Sequence, residues 1–324
     1  MLPYFFSADE YFKQTFHKKM FRLSLDGGMT CPNRDGTVGT GGCAFCSASG
    51  SGDFAEKYTT SIADQIECAK TQVSKKLPKN DKPFGYVAYF QSFTNTYASI
   101  QYLRFLFMET IQHPDIEALF IGTRPDCLPE PVLELLSELT KIKPVYIELG
   151  LQTTKQESIR YINRCYENSV FETAVTELNK RNIPIIVHCI LGLPFETLSD
   201  MQQTIDYICS FPIHGIKLQL LHILKNTKLA KDYPMLCEQQ AFYCMNRNTY
   251  LETLLHLLER IPSSIVIYRL TGDGPKNLLI APLWSSDKKR VQNDIRKLLQ
   301  EKQIYQGGKC LPKTQKQQCY NQNL

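Results

Sequence analysis

The sequence predicts an α/β protein: a partial (β/α)6 TIM-like barrel with a small α+β extension at its C-terminal end. Three observations point there. Six short apolar runs read as buried strands, and stretches with apolar residues every three or four positions separate them. Strands alternating with helices imply right-handed crossovers and a parallel sheet with helices outside. After about Leu224 the alternation stops, and six repeats fall short of the eight that close a barrel.

Taken in order, the strand runs are Phe21–Leu25, Phe84–Phe90, Ala118–Ile121, Val145–Gly150, Pro184–Leu191 and Ile216–Leu221. Ile62, Ile66, Ala69, Val73 and Leu77 mark the first helix face, and Val132, Leu135, Leu136 and Leu139 mark another behind Pro129. Further helical patterns cover about 98–111, 169–181 and 197–209. Beyond the barrel, helix-like stretches at 238–260 and 286–302 flank a strand-like run, Ser264–Leu270. The chain therefore divides into an N-terminal segment (1–20), a core (21–224) and a capping extension (225–324).

With 43% hydrophobic and 21% charged residues among 324, the composition is globular and excludes a disordered or fibrous chain. The longest nearly apolar run, Ile183 to Phe195, is broken by His188 and Pro194 and is too short to span a bilayer. The N-terminus, MLPYFFSADEYF, lacks a basic region followed by an apolar stretch, so no secretory signal is expected. The expectation is a cytoplasmic protein with no membrane partner. Net charge is a mild +5, but from Lys302 onward there are four lysines (Lys302, Lys309, Lys313, Lys316) and no acid. Such a tail can touch phosphates.

Most of the twelve cysteines are isolated in apolar segments, as with Cys68, Cys189 and Cys209, where a small buried hydrophobe is the usual role. Cys31, Cys43 and Cys46 differ: they fall within 16 residues, in a glycine-rich loop directly after the first strand. Three thiolates at the C-terminal edge of a strand can hold a metal centre. A structural zinc takes four protein ligands, and no fourth Cys or His stands near. On a four-iron cluster, three ligands leave one iron open for another molecule.

This loop resembles that of the radical S-adenosylmethionine (radical SAM) superfamily, with Phe45 directly before the last cysteine. The spacing C-x11-C-x2-C departs from the usual C-x3-C-x2-C and matches the YhcC/YtqA-like branch, related to the radical SAM domain of the Elongator catalytic subunit. The resemblance spans nearly the whole chain. It runs through SLDGGMTCPNRDGTVGTGGCAFCSASGSGDFA (24–55), YFQSFTNTYA (89–98), GTRPD (122–126), ELGLQT (148–153), INR (162–164), HCILGLPFET (188–197) and YRLTGDGP (268–275).

The resemblance implies a 4Fe-4S cluster on Cys31, Cys43 and Cys46, with SAM on the open iron. It places Gln91, Ser92 and Asn95 where relatives carry a Gly-Gly-Glu turn for the methionine amine. Glu148 suits two ribose hydroxyls, since a carboxylate accepts from both. Gln152 and Arg164 stand where coproporphyrinogen-type enzymes hold the ribose and the methionine carboxylate, and a guanidinium fork fits a carboxylate. Relatives follow this arginine with Gly-His, whereas here Cys165 and Tyr166 follow. His188 lies where some relatives have an Asp that contacts SAM, although a lone His in IIVHCIL equally suits a satisfied core histidine. Gly192 and Leu193 form the turn behind the adenine. Arg124 and Asp126 read as an internal ion pair, and Arg269 and Asp273 as substrate-side groups.

The implied function is radical generation from SAM in tRNA wobble-uridine modification, taking a carboxymethylaminomethyl side chain to aminomethyl. The implied partners are tRNA and an electron donor such as flavodoxin or ferredoxin. A small-molecule substrate, or an iron–sulfur electron carrier or sensor, remains as the alternative.

Overall fold

The computed structural model describes residues 4–50, 52, 55, 61–77, 83–272 and 274–310. The first half runs α1 (Ala8–Phe16), β1 (Lys19–Leu25), α2 (Ile62–Val73), β2 (Phe84–Phe90), α3 (Ile100–Gln112), β3 (Ile116–Thr123), α4 (Glu130–Thr140) and β4 (Val145–Gln152). There follow α5 (Gln156–Tyr161), α6 (Asn168–Lys180), β5 (Ile185–Leu191), α7 (Leu198–Ser210), β6 (Gly215–Leu220) and β7 (Ile223–Leu224). The chain ends with α8 (Lys228–Glu238), α9 (Arg247–Leu258), β8 (Val266–Arg269), β9 (Leu279–Ala281) and α10 (Lys288–Lys302). Seven strands form one sheet in the order β1-β2-β3-β4-β5-β6-β8, and β7 pairs with β9 separately. This is the α/β fold of a partial TIM-like barrel, as expected.

Two compact units divide the chain. The first comprises Asp9–Leu151 and Asn163–Ile186. Its strands β1 to β4 are parallel, and their register sets the site: Leu25 pairs with Phe90, Phe90 with Ile121, and Ile121 with Ile147. The segments that follow Leu25 and Phe90 therefore leave the sheet at one level, and Glu148 stands at that level on β4. The strands are buried on both faces, the pattern of a sheet covered by helices. Outside, α2 and α3 are capped by Ser61 and Ser99, whose hydroxyls accept from the amides of Asp64 and Tyr102. α1 packs through Phe12 on Phe120, and the Tyr11 and Tyr146 hydroxyls meet at 2.7 Å.

The second unit comprises Met1–Ala8, Gln152–Ile162 and Val187–Leu324. Here the structure moves an element. The run Ser264–Leu270, expected in the extension, supplies β8, a parallel neighbour of β6 through Gly215↔Val266 and the seventh strand of the main sheet. Gly215 permits this approach, because a Cβ there would lie 2.6 Å from the Tyr268 ring and 2.9 Å from the Val266 carbonyl. The chain's N-terminal residues join β8 as well: Ile267 N donates to the Phe6 carbonyl at 2.8 Å, and Gln306 binds both the Phe6 amide and the Ile265 carbonyl. The single stretch expected at 238–260 is instead the end of α8, a loop, and α9. Among the described residues no helix is long and apolar enough to cross a membrane.

Candidate functional site

In the first unit, the loop after β1 is knotted by its own backbone. Arg34 N donates to the Cys31 carbonyl at 2.8 Å, Gly42 N to Asn33 at 2.7 Å, and Cys46 N to Cys43 at 2.9 Å. Arg34 reaches back to the Ser47 and Ala48 carbonyls and lies 5.2 Å from the Phe93 ring centre. These bonds gather the half-buried cysteines. Burial pushes the Cys43 thiol up to about 12; Cys46 and Cys31 push the same way, and Arg124 opposes them. Thiols that sense one another's charge, with no imidazole among them, form a donor set suited to an iron–sulfur cluster. Among the described residues no three Cys, His, Asp or Glu side chains converge on a single-ion position. Phe45 sits half-buried between Ala44 and Cys46.

The turn after β2 closes against this loop. Phe93, at φ 57°, donates its amide to the Gly50 carbonyl at 2.8 Å, and Thr94 donates to Thr30 at 3.3 Å. Asn95, fully buried, spends Nδ2 on the carbonyls of Phe90 and Gly122, the second being the register partner of Glu148. Its Oδ1 and the buried Ser92 Oγ have no hydrogen-bond partner among the described residues. Two buried acceptors left open at a strand end suit a cationic donor such as the amine of SAM. Gln91 is half-buried beside them.

Glu148 is 1% exposed, takes a 2.6 Å bond from the Tyr89 hydroxyl, and has the Arg22 guanidinium 4.0 Å away. Arg22 in turn lies over the Tyr89 and Phe120 rings. Arg164 is held by the backbone around it. It is 1% exposed, and its guanidinium donates to the carbonyls of Leu151 and Tyr166 and to Asn168 Oδ1. A guanidinium so engaged braces the chain after α5. Tyr166, which departs from the family histidine, has Arg164 4.4 Å and Arg124 4.9 Å from its ring centre and donates its hydroxyl to Gly150. Arg124 and Asp126 form the expected bidentate pair, at 2.9 and 2.7 Å.

In the second unit, Gln152 ends β4 at φ 71°, a left-handed conformation rare outside glycine. His188 Nδ1 lies 3.2 Å from Gln219 Nε2, and Arg269 donates to Gln219 Oε1 at 3.1 Å. Arg269 thus serves Gln219 and His188, while Asp273 lies outside the described residues. Gly192 turns at φ 79°, where a Cβ would come within 3.1 Å of Met245. Leu193 is buried, and its amide donates to Glu196 Oε2 at 3.3 Å. Burial pushes the Glu196 carboxyl up to about 8, against the Thr153 hydroxyl and Leu193 amide that favour its charged form. Sequence reasoning passed over Glu196, Asn33 and Asn163, although all three stand inside the quoted motifs.

Comparison with known proteins matches the radical SAM superfamily model to residues 35–208 and a radical SAM C-terminal domain model to 213–301. Bacillus subtilis YtqA is 39% identical over 295 residues, 91% of this chain and 89% of its own. Escherichia coli YhcC is 32% identical over 274 residues, 84% and 85% of the two chains. The archaeal Elp3 of Methanocaldococcus infernus, solved without its N-terminus, shares the fold at a TM-score of 0.65 and 14% identity. The match covers 89% of this chain but only 64% of that longer one.

Proposed function

Because this chain belongs to the radical SAM superfamily, whose enzymes use a 4Fe-4S cluster and S-adenosylmethionine, we propose that Cys31, Cys43 and Cys46 hold that cluster in an enzyme that modifies tRNA at the wobble uridine. The observation that carries the cluster assignment is the gathering of three thiols in the knotted loop that leaves β1. A cluster held by Cys31, Cys43 and Cys46 would supply one-electron reduction of SAM and so radical chemistry. The chain's own residues hold and orient. Ser92 Oγ and Asn95 Oδ1 accept from the methionine amine, with Gln91 beside them. Glu148, already polarised by Tyr89 and Arg22, accepts ribose hydroxyls. Phe45, next to Cys46 in the same loop, is proposed on the nucleoside side, and for Gln152, His188, Gly192 and Leu193 the resemblance alone supports a SAM-binding role.

The reaction needs an electron donor, for which flavodoxin or ferredoxin is proposed, and a cytoplasmic setting supplies both. Conversion of carboxymethylaminomethyl to aminomethyl at uridine 34 is the proposed outcome, supported by the branch resemblance and by exposed cations on α10 (Lys289, Arg290, Arg296, Lys297). Nucleosides of tRNA from a deletion strain test it: the carboxymethylaminomethyl form should accumulate and return to normal on complementation. An unchanged nucleoside profile would redirect the search to small molecules.

A further inference from the structure

Asn33 lies between the first two cysteines and is fully buried. Its amide orientation follows from chemistry. The Asn163 backbone carbonyl only accepts, so the group bonded to it must be Nδ2. The second Nδ2 hydrogen then faces Cys43 Sγ, at 3.7 Å. On the other side, Oδ1 receives Asn163 Nδ2 at 3.3 Å and the Cys165 thiol at 3.2 Å. Both hydrogens of Nδ2 and both acceptor positions of Oδ1 are therefore engaged, which fixes the orientation of this amide.

Asn163 is the clamp. It sits at φ 56°, and its Nδ2 also reaches the carbonyls of Thr40 and Gly42 at 3.2 and 3.0 Å, on the stretch between the cysteines. Gly39 completes the fit, because a Cβ there would overlap Asn33 Oδ1 and crowd Cys165 Sγ. The eleven-residue insertion between Cys31 and Cys43 is thus folded around one asparagine pair.

We infer that Asn33 is a positioning residue for the cluster, donating an N–H···S hydrogen bond to the Cys43 ligand and, with Asn163 as its clamp, raising the cluster's reduction potential while holding Cys43 in place. The inference rests on the cluster assignment above. A donor to a ligating sulfur stabilises the more negative, reduced state, so its removal lowers the potential.

The test uses full-length protein reconstituted without oxygen to about four irons per chain. Its midpoint potential is read in the absence of SAM from the EPR signal of the reduced cluster. Asn33→Ala and the near-isosteric Asn33→Asp, which keeps the acceptor but loses the donor, should hold iron at a more negative potential than the parent. Asn163→Ala leaves the donor unclamped; it should shift the potential the same way by less and lose iron to a chelator faster. A parental potential in fully loaded Asn33→Ala overturns the inference. Should neither Asn33 variant load, loaded Asn163→Ala decides, and a parental potential and iron-release rate there overturn it. If the parent itself takes up no iron, it is the cluster assignment that fails instead.

Discussion

On the proposed assignment Cys31, Cys43 and Cys46 each contribute one soft donor, and removing any of them leaves two, too few to retain a four-iron cluster. Any of the three changed to Ala should therefore abolish iron uptake in anaerobic reconstitution; a stoichiometric zinc site in the natively purified parent would contradict the cluster. Glu148 and Arg164 should behave differently from one another. Glu148→Gln keeps shape but loses charge, and a lost charged hydrogen bond costs about 1.5–3 kcal/mol, so SAM affinity should fall roughly ten- to hundredfold with cluster absorbance intact. Arg164→Ala leaves the carbonyls of Leu151 and Tyr166 without their buried donor, and its main loss should appear as a lower melting temperature. Equal SAM affinity in Glu148→Gln and the parent would remove Glu148 from the site. Glu196 adds a pH dependence. Its folded carboxyl titrates near 8, above the unfolded value, so between the ordinary glutamate range and pH 8 the folded chain binds the extra proton and stability falls as pH rises. Glu196→Gln should flatten that slope in melting temperatures measured from pH 5 to 9; an unchanged slope would mean the carboxylate is already ionised.

Among the elements, legibility followed how local the cause was. β1 to β6 were readable because runs such as FGYVAYF and IIVHCIL are almost wholly apolar, as a sheet covered on both faces requires. The cysteine loop was readable because three ligands lie within 16 residues of sequence. β8 was misplaced because its partner β6 is some fifty residues away and VIYR carries no mark of which strand it joins. The bracing contacts of Arg164 were not readable for the same reason: two of its acceptors are backbone carbonyls, which no side-chain pattern announces. α8 was missed because Pro234 lies inside it, where proline ordinarily ends a helix. The boundary of α9 was nonetheless written in the chain, since Asn246 accepts from Thr249 N at 3.0 Å as its N-cap. Asn246→Ala should cost about 1 kcal/mol in denaturant unfolding, and no loss would mean that packing of the buried face of α9 alone holds that end.

For the whole molecule, the question is how a chain of net charge +5 would hold a polyanion. The acid-free tail contributes less than its composition suggests, because Lys309 pairs with Glu259 at 2.7 Å and Lys302 with Glu252 at 3.8 Å. Lys313 and Lys316 lie outside the described residues. The exposed face of α10 brings Lys289, Arg290, Arg296 and Lys297 onto one side, with Lys297 in a loose 3.6 Å pair with Glu301, so phosphate contact should be shared between that face and the two distal lysines. Each neutralised phosphate releases condensed counterions, so binding to bulk tRNA should weaken several-fold between low and physiological salt. Deleting 311–324 should weaken it further, whereas a cut at 302 would also remove Gln306, which ties the N-terminal residues to β8. Arg296→Gln with Lys297→Gln should weaken binding and lower the salt slope by about two contacts. Filter binding across a salt series measures both. If the intact protein fails to bind tRNA even at low salt, and the deletion strain's nucleosides are normal, the substrate is not RNA, and the open acceptors at Ser92 and Asn95 would then serve a radical reaction on a small molecule.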